Sequence, residues 1–258
     1  MIVCSQSAAK DIINMTKEMA YIVGVYLGDG SIGTDKRTFC LQSIDKDFCE
    51  TTERNISTLT QNSPRIVQMK RLTTAKRVVW GLYLSDVKLC SQLRAMTNDR
   101  KNLPKDIHTW SRENIQSLIA GLLDSEGYVT RGRLHYSDGA PVFNMVIGIG
   151  ACDQWLIELR SLCLTMGIKL GLLCTEVLPS GKNFYKFIFN KKSFISSGLY
   201  FTIKRKNDRI EEYKRLFPGS TTTRNLPRTE QFKRKLSTFS QNRKRVGGRF
   251  VPVGNDIV

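Results

Sequence analysis

A chain of 258 residues has room for one large domain or two ordinary ones, and a hydrophobic content of 41% supports a core and excludes wholesale disorder. Lys and Arg number 40 against 23 Asp and Glu, and the resulting net charge of +17 points to a polyanionic partner. No long apolar span and no basic-then-apolar leader pattern is present, so a membrane role is set aside. The expected setting is intracellular, cytoplasmic or organellar, and not secreted.

Residues 1–14 show little pattern and read as a lead-in. The run Ile22-Val23-Gly24-Val25-Tyr26-Leu27-Gly28-Asp29-Gly30 follows, apolar with two small residues four apart, then an acid and a glycine. Periodicity alone leaves strand or helix open. The preceding Met15 to Met19 supplies a helix start and Gly30 suits a left-handed terminator, so the stretch is read as helix. A polar turn, Gly33 to Arg37, leads to a strand at 39–44, and an amphipathic helix is expected over 46–61 around Phe48, Ile56 and Leu59. Pro64 opens a strand at 65–72. A basic turn at 73–76 and the run 77–84 complete a hairpin, and a helix follows near 86–96.

The second half repeats this order. Ile119-Ala120-Gly121-Leu122-Leu123-Asp124-Ser125-Glu126-Gly127 lies behind Ser111, an N-cap candidate. Strands are expected at 128–135 and 143–149 around Asp138-Gly139, and a helix from about 153 to 166 ends on Gly167. The runs 168–177 and 183–190 form a hairpin around Pro179-Ser180-Gly181, and a helix near 191–200 precedes Lys204-Arg205-Lys206-Asn207. Trp80 to Leu84 and Arg100-Lys101-Asn102 are echoed 105 residues later by Tyr185 to Phe189 and Arg205-Lys206-Asn207. That period is too long for a solenoid unit and reads as two copies of one α+β half, 15–105 and 106–215. The segment 216–258 turns to Pro, Gly, Ser, Thr and basic residues, a tail that either stays disordered or orders on a polyanion.

Small residues four apart share a helical face, here Gly24 with Gly28 and Gly121 with Ser125. Two such strips in one chain are most simply used to pack one helix on the other. Asp29 and Glu126 then emerge side by side at helix C-termini, where a carboxylate is disfavoured unless a cation such as a divalent metal offsets the cost. A surface acid beside a helix-ending glycine is the bland reading of either copy, and the duplication lowers its weight. Asp124 points elsewhere and reads as a helix-end or supporting acid. Seven cysteines without a CxxC pair indicate neither a zinc site nor a full disulfide framework, and they read as reduced and mostly core. The two histidines, His108 and His135, argue against a nuclease built on clustered imidazoles.

Both runs resemble the signature of the LAGLIDADG homing endonucleases, with Asp29 and Glu126 at the position of the metal-binding acid. Their separation is similar to that in single-chain members carrying two copies, and the resemblance covers about residues 17 to 215. Leu27 replaces the family's first acid in copy one, whereas Asp124 keeps it in copy two. The resemblance implies an α+β fold of two pseudo-symmetric αββαββα halves, packed through the two motif helices, whose antiparallel sheets form a DNA-binding saddle. It implies a monomeric, intron-encoded or free-standing endonuclease that makes a double-strand break in a long asymmetric site on double-stranded DNA.

On the order of two or three Mg²⁺ ions would be held by Asp29 and Glu126 with carbonyls near Gly28 and Ser125, and Mn²⁺ or Ca²⁺ would substitute in binding. Lys101 and Lys206 are the candidates for the basic residue near each scissile phosphate, with a generic phosphate clamp as the equal alternative. Gln42 is the candidate amide, Ser43 being one register slip away, and the second half has only Gly148 or Gly150 there. Candidate DNA contacts in the first half are Lys36, Arg37, Gln42, Arg65, Gln68, Lys70, Arg71, Lys76 and Arg77. Those in the second half are Arg131, Arg133, His135, Lys182, Asn183 and Lys186. Any one of them is as readily a solvated charge. The competing reading is an intron RNA maturase of the same fold, and a third is a DNA-binding regulator with a disabled site.

Overall fold

Residues 15–69, 78–132, 134–137, 140–216, 243–246 and 249–252 are described in this computed structural model, the strands at 134–137, 140–143, 243–246 and 249–252 by their backbone alone. The lead-in 1–14, the turns at 73–76 and 138–139, Cys4, Lys70, Arg71, Lys76, Arg77, Arg133 and the side chain of His135 lie outside that description.

Thr16 starts helix α1 (Lys17–Leu27), its hydroxyl accepting from the Met19 amide at 3.2 Å. Every residue from Met19 to Leu27 is buried, which marks a central helix rather than a surface one. Strands β1 (Ser31–Ile32) and β2 (Thr38–Ser43), helix α2 (Lys46–Ser57), strands β3 (Arg65–Gln68) and β4 (Trp80–Ser85), and helix α3 (Val87–Thr97) complete an αββαββα half. Ser111 then caps α4 (Arg112–Glu126), accepting from the Asn114 amide at 3.2 Å. There follow β5 (Gly127–Val129), an inserted hairpin of β6 (Leu134–Ser137) and β7 (Ala140–Phe143), β8 (Ile147–Ala151), α5 (Trp155–Thr165), β9 (Cys174–Val177), β10 (Asn183–Phe189), α6 (Lys191–Ser196) and α7 (Lys204–Leu216).

The two antiparallel sheets have matching orders, β1-β2-β4-β3 and β5-β8-β10-β9, so the second half repeats the first with an inserted hairpin and a further helix, α7. This is the expected α+β architecture of two like halves. Phe39, Leu41, Leu82 and Leu84 form the inner face of the first sheet, and Ile147, Ile149, Phe187 and Phe189 that of the second, all at most 2% exposed. Each such burial is worth about 1.5–3 kcal/mol. Each half also reaches the other's helix. Arg205 forks onto Asp45 at 2.5 and 2.7 Å, and Asn102 and the Leu103 amide bond Glu158 at 3.0 and 2.7 Å.

Several expectations are corrected. The strands at 128–135 and 143–149 break into two ladders, because Val129 pairs Ile147 whereas Leu134 pairs Phe143. The pairing register differs by one residue between the two ladders, and such a shift ends a ladder. Residues 168–173 carry only an isolated bridge, Leu170 to Phe189, and α2 stops at Ser57. Helix α7 was unanticipated: its buried stripe is Lys206, Ile210 and Tyr213, and a lysine in the stripe hides the helical period.

Neither Gly30 nor Gly127 is left-handed, Gly127 lying at φ −80° and ψ 151°. A Cβ on Gly30 would stand 2.8 Å from the Tyr26 Cα, and one on Gly127 2.4 Å from the Leu123 oxygen. These glycines let the chain fold back onto its own last turn. The left-handed end does occur at Gly167, φ +77°, after α5. Among the cysteines described, Cys49, Cys90 and Cys163 are buried, Cys40 is half-buried, and Cys152 and Cys174 are exposed.

By internal packing the chain forms two compact units, Met1–Pro218 and Gly219–Val258, and the second contains an antiparallel pair, β11 (Arg243–Val246) with β12 (Arg249–Pro252). Among the described residues no helix is long and apolar enough to cross a membrane.

Candidate active site between the motif helices

The glycine strips bring α1 and α4 into backbone contact. A Cβ on Gly24 would lie 2.2 Å from the Leu118 oxygen and 3.1 Å from the Gly121 Cα, and one on Gly121 2.3 Å from the Tyr21 oxygen. One turn further on, a Cβ on Gly28 would lie 2.3 Å from the Ser125 Cβ and 3.3 Å from the Glu126 Cγ. Nothing larger fits, and the C-termini of both helices converge. The acids that follow face each other electrostatically. Burial pushes the Glu126 carboxyl up to about 7, with the Asp29 carboxylate adding to the rise and Arg100 opposing it. Burial raises Asp29 as well, against the pull of Lys206 and Arg100. Asp29 is nevertheless solvent-exposed and Glu126 half-buried, so the pair is poorly hydrated yet reachable.

Two oxygen donors of raised proton affinity, with no thiolate or imidazole converging on them among the described residues, suit a hard divalent cation such as Mg²⁺, Mn²⁺ or Ca²⁺. Among the described residues no group of three or more His, Cys, Asp or Glu side chains converges. An ion here would rest on Asp29 and Glu126 together with uncharged oxygens and water. The Gly28 carbonyl, expected among those oxygens, accepts from Arg100, which also bonds the Leu27 carbonyl at 3.4 Å. A carbonyl has a second lone pair to offer. The Ser125 hydroxyl is turned into its own helix, donating to the Gly121 oxygen at 2.9 Å.

Lys206 is only 4% exposed and donates to the Leu123 and Asp124 carbonyls at 3.0 and 2.7 Å, a cation closing the C-terminus of α4. Burial pushes its ammonium down to about 8. At α1 the same position is taken by Arg100 and not by Lys101, which is exposed. Asn98, Asp99 and Arg100 all adopt left-handed backbone, with φ of 49°, 53° and 69°, and this turn shifts the echo with Arg205-Lys206 by one residue. Arg100 therefore escaped the sequence reading, as did Asp153, whose charge adds to the rise at Glu126. Asp124 is buried away from the acid pair. It accepts from the Tyr21 hydroxyl at 2.8 Å, the Thr202 amide at 2.9 Å and the Ile203 amide at 3.3 Å.

Register decides which candidates share the sheet face opposite the core. On the first sheet Gln42 opposes Gly81 and Arg65 opposes Tyr83, both on that outer face. Ser43 has core parity, and its hydroxyl accepts from the Asp45 amide at 3.1 Å. Gln68 opposes Trp80 and also has core parity. Lys36 and Arg37 are exposed in the turn before β2, and Arg131 and Lys182 are exposed beyond β5 and before β10. On the second sheet Lys186 reaches the outer face but is ion-paired with Glu176, and Asn183 has inner parity and bonds the Tyr185 hydroxyl at 3.4 Å. His108 sits exposed in a 3-10 turn, Ile107–Thr109.

No family model matches the chain. In sequence it is similar to an uncharacterized protein of Methanocaldococcus jannaschii, 22% identical, with 78% of this chain and 72% of that protein covered. In structure it is similar to mesophilic variants of the homing endonuclease I-DmoI, 16% identical at a TM-score of 0.46, covering 71% of this chain and 94% of the other. The homing endonuclease I-WcaI bound to its DNA recognition sequence is 13% identical at a TM-score of 0.49, covering 79% and 95%. Full-length WhiA from Thermatoga maritima is 14% identical at 0.49, covering 90% and 71%. At these identities and TM-scores the chemistry of the residues has to carry the functional argument.

Proposed function

We propose that this chain is a monomeric, site-specific DNA endonuclease that makes a metal-dependent double-strand break. The observation that carries the reading is the convergence of Asp29 and Glu126, from opposite halves, at the glycine-lined end of α1 and α4. When bound, a divalent cation, Mg²⁺ by donor chemistry, supplies neutralisation of charge at the scissile phosphate and an activated water. Asp29 and Glu126 would hold it, and the proton that burial favours on Glu126 would have to leave for that carboxylate to serve as a ligand. Arg100 and Lys206 both act on the Asp29 charge from the two helix ends. Their donors not spent on helix carbonyls would stabilise charge on the phosphate and the departing oxygen. The net charge of +17 draws in the duplex, and the outer face of the first sheet offers Gln42 and Arg65 to base edges. Unlike sheets predict unlike half-sites.

The test is selection of cleaved sites from a randomised duplex library with Mg²⁺, then repetition with Asp29→Asn and with Glu126→Gln. Both variants are expected to bind the selected site and fail to cut it. Cutting that survives both changes sinks the proposal.

A further inference from the structure

The outer face of the second sheet carries two glycines beneath two aromatic rings, where the first sheet has one such pair, Gly81 beneath Tyr83. Tyr128, Gly148 and Ile188 stand side by side across β5, β8 and β10, and Gly150, Lys186 and Cys174 across β8, β10 and β9. The two glycines lie beneath aromatic rings. A Cβ on Gly148 would meet Cζ and the hydroxyl of Tyr128, both at 2.4 Å, and one on Gly150 would meet Phe184 Cζ at 2.6 Å. Tyr128 and Ile188 remain 36% and 46% exposed, and Phe184 is half-buried. The ammonium of Lys186 is neutralised there by Glu176. Rings held across backbone glycines leave part of their π surface open to the outside.

We infer that Tyr128 and Phe184 form a stacking platform for unpaired nucleobases of a single-stranded nucleic acid. Charge argues for that occupant over an apolar protein partner. The chain carries +17, and exposed Lys182 and Arg131, in the segments just before β10 and just after β5, are close in sequence to the two rings and available to a strand's phosphates. Stacking tolerates any base because each has a π face, and it requires that the base be out of a duplex. The glycines are part of the device: with a side chain at 148 or 150 the rings would be lifted off the sheet. This inference goes beyond the endonuclease reading and involves neither acid, so loss of cleavage in Asp29→Asn or Glu126→Gln leaves it standing.

The experiment measures binding of the full chain, in EDTA, to fluorescein-labelled oligouridylate and oligothymidylate of about twelve nucleotides and to a duplex of equal length. The comparison is with Tyr128→Leu/Phe184→Leu, which keeps apolar cover over both glycines and removes the rings. Single-strand affinity is expected to fall about tenfold or more while duplex affinity and the salt slope hold. Preference for the uridylate assigns the ligand to RNA and preference for the thymidylate to displaced DNA, either supporting the platform. Photocrosslinking of bromouridine oligomers to the unmodified protein, with mapping to 127–130 and 183–188, keeps the test decisive if the variant misfolds. Unchanged single-strand binding by the folded variant, or crosslinks confined to other peptides, overturns the inference.

Discussion

The ammonium of Lys206 donates to the carbonyl oxygen of Asp124 at 2.7 Å, while the Asp124 carboxylate accepts from the Thr202 and Ile203 amides that lead into the helix bearing Lys206. Each residue closes the terminus of the other's helix, a cation at the C-terminus of α4 and an anion at the N-terminus of α7. This reciprocal clasp ties α4 to α7 and puts Lys206 close enough to oppose the rise at both Asp29 and Glu126.

Asp124→Ala is therefore expected to destabilise the fold by about 3 kcal/mol, because it takes the nearby negative charge from a buried ammonium and removes the carboxylate acceptor of a tyrosine hydroxyl and two amides. Urea unfolding of Asp124→Ala, Lys206→Met and the double variant should give a double-variant loss smaller than the sum of the single losses. Strict additivity would show that the clasp contributes nothing.

The interhelix contact makes Gly24 and Gly121 intolerant. Alanine at either site would place its Cβ within 2.3 Å of a backbone oxygen on the other helix, so the helices must separate. A loss of about 3 kcal/mol is expected from overpacking at this site. Alanine at Gly167, where the space is open and only the φ of +77° is unfavourable, should cost about 1 kcal/mol. Thermal melts of the three variants check the ranking.

The pH dependence follows from two shifts of opposite kind. Glu126 is raised from 4.5 to about 7 in the fold, so the native state binds the extra proton and metal-free stability falls as pH rises across that window. Lys206 is lowered from 10.5 to about 8, so the unfolded chain binds the extra proton and stability rises from about 8 upward. The combined contribution of these groups is least favourable near pH 7 to 8. Mg²⁺ binding runs the other way through Glu126, tightening by about tenfold between pH 6 and pH 8 as the carboxyl ionises. Calorimetric titration at the two pH values measures this, and Glu126→Gln should abolish the difference.

Arg100 and Lys101 separate cleanly. Arg100→Ala should lower single-turnover cleavage by about a hundredfold, since it removes a preorganised cation from the acid pair. Lys101→Ala, at an exposed position, should leave the rate alone and at most reduce the salt slope of DNA binding by about one. The reverse ranking would restore the register suggested by the Arg-Lys-Asn echo.

The two motif helices, the glycine strips and the acids at their ends were readable in the chain itself. They depend on spacing within one turn of helix, and the duplication supplied the partner for each strip. The repeat of the αββαββα order was readable for the same local reason. What the amino-acid order left open was settled by packing between distant segments. Pairing of Leu41 with Leu82 set the register that turns Gln42 outward and Ser43 inward, and three left-handed residues brought Arg100 to α1 in place of Lys101. Asp124, placed only as a helix-end or supporting acid, became the clasp for α7, whose own period a buried lysine concealed. Strand register and helix-end contacts arise between residues far apart in sequence, so short-range periodicity carries no record of them.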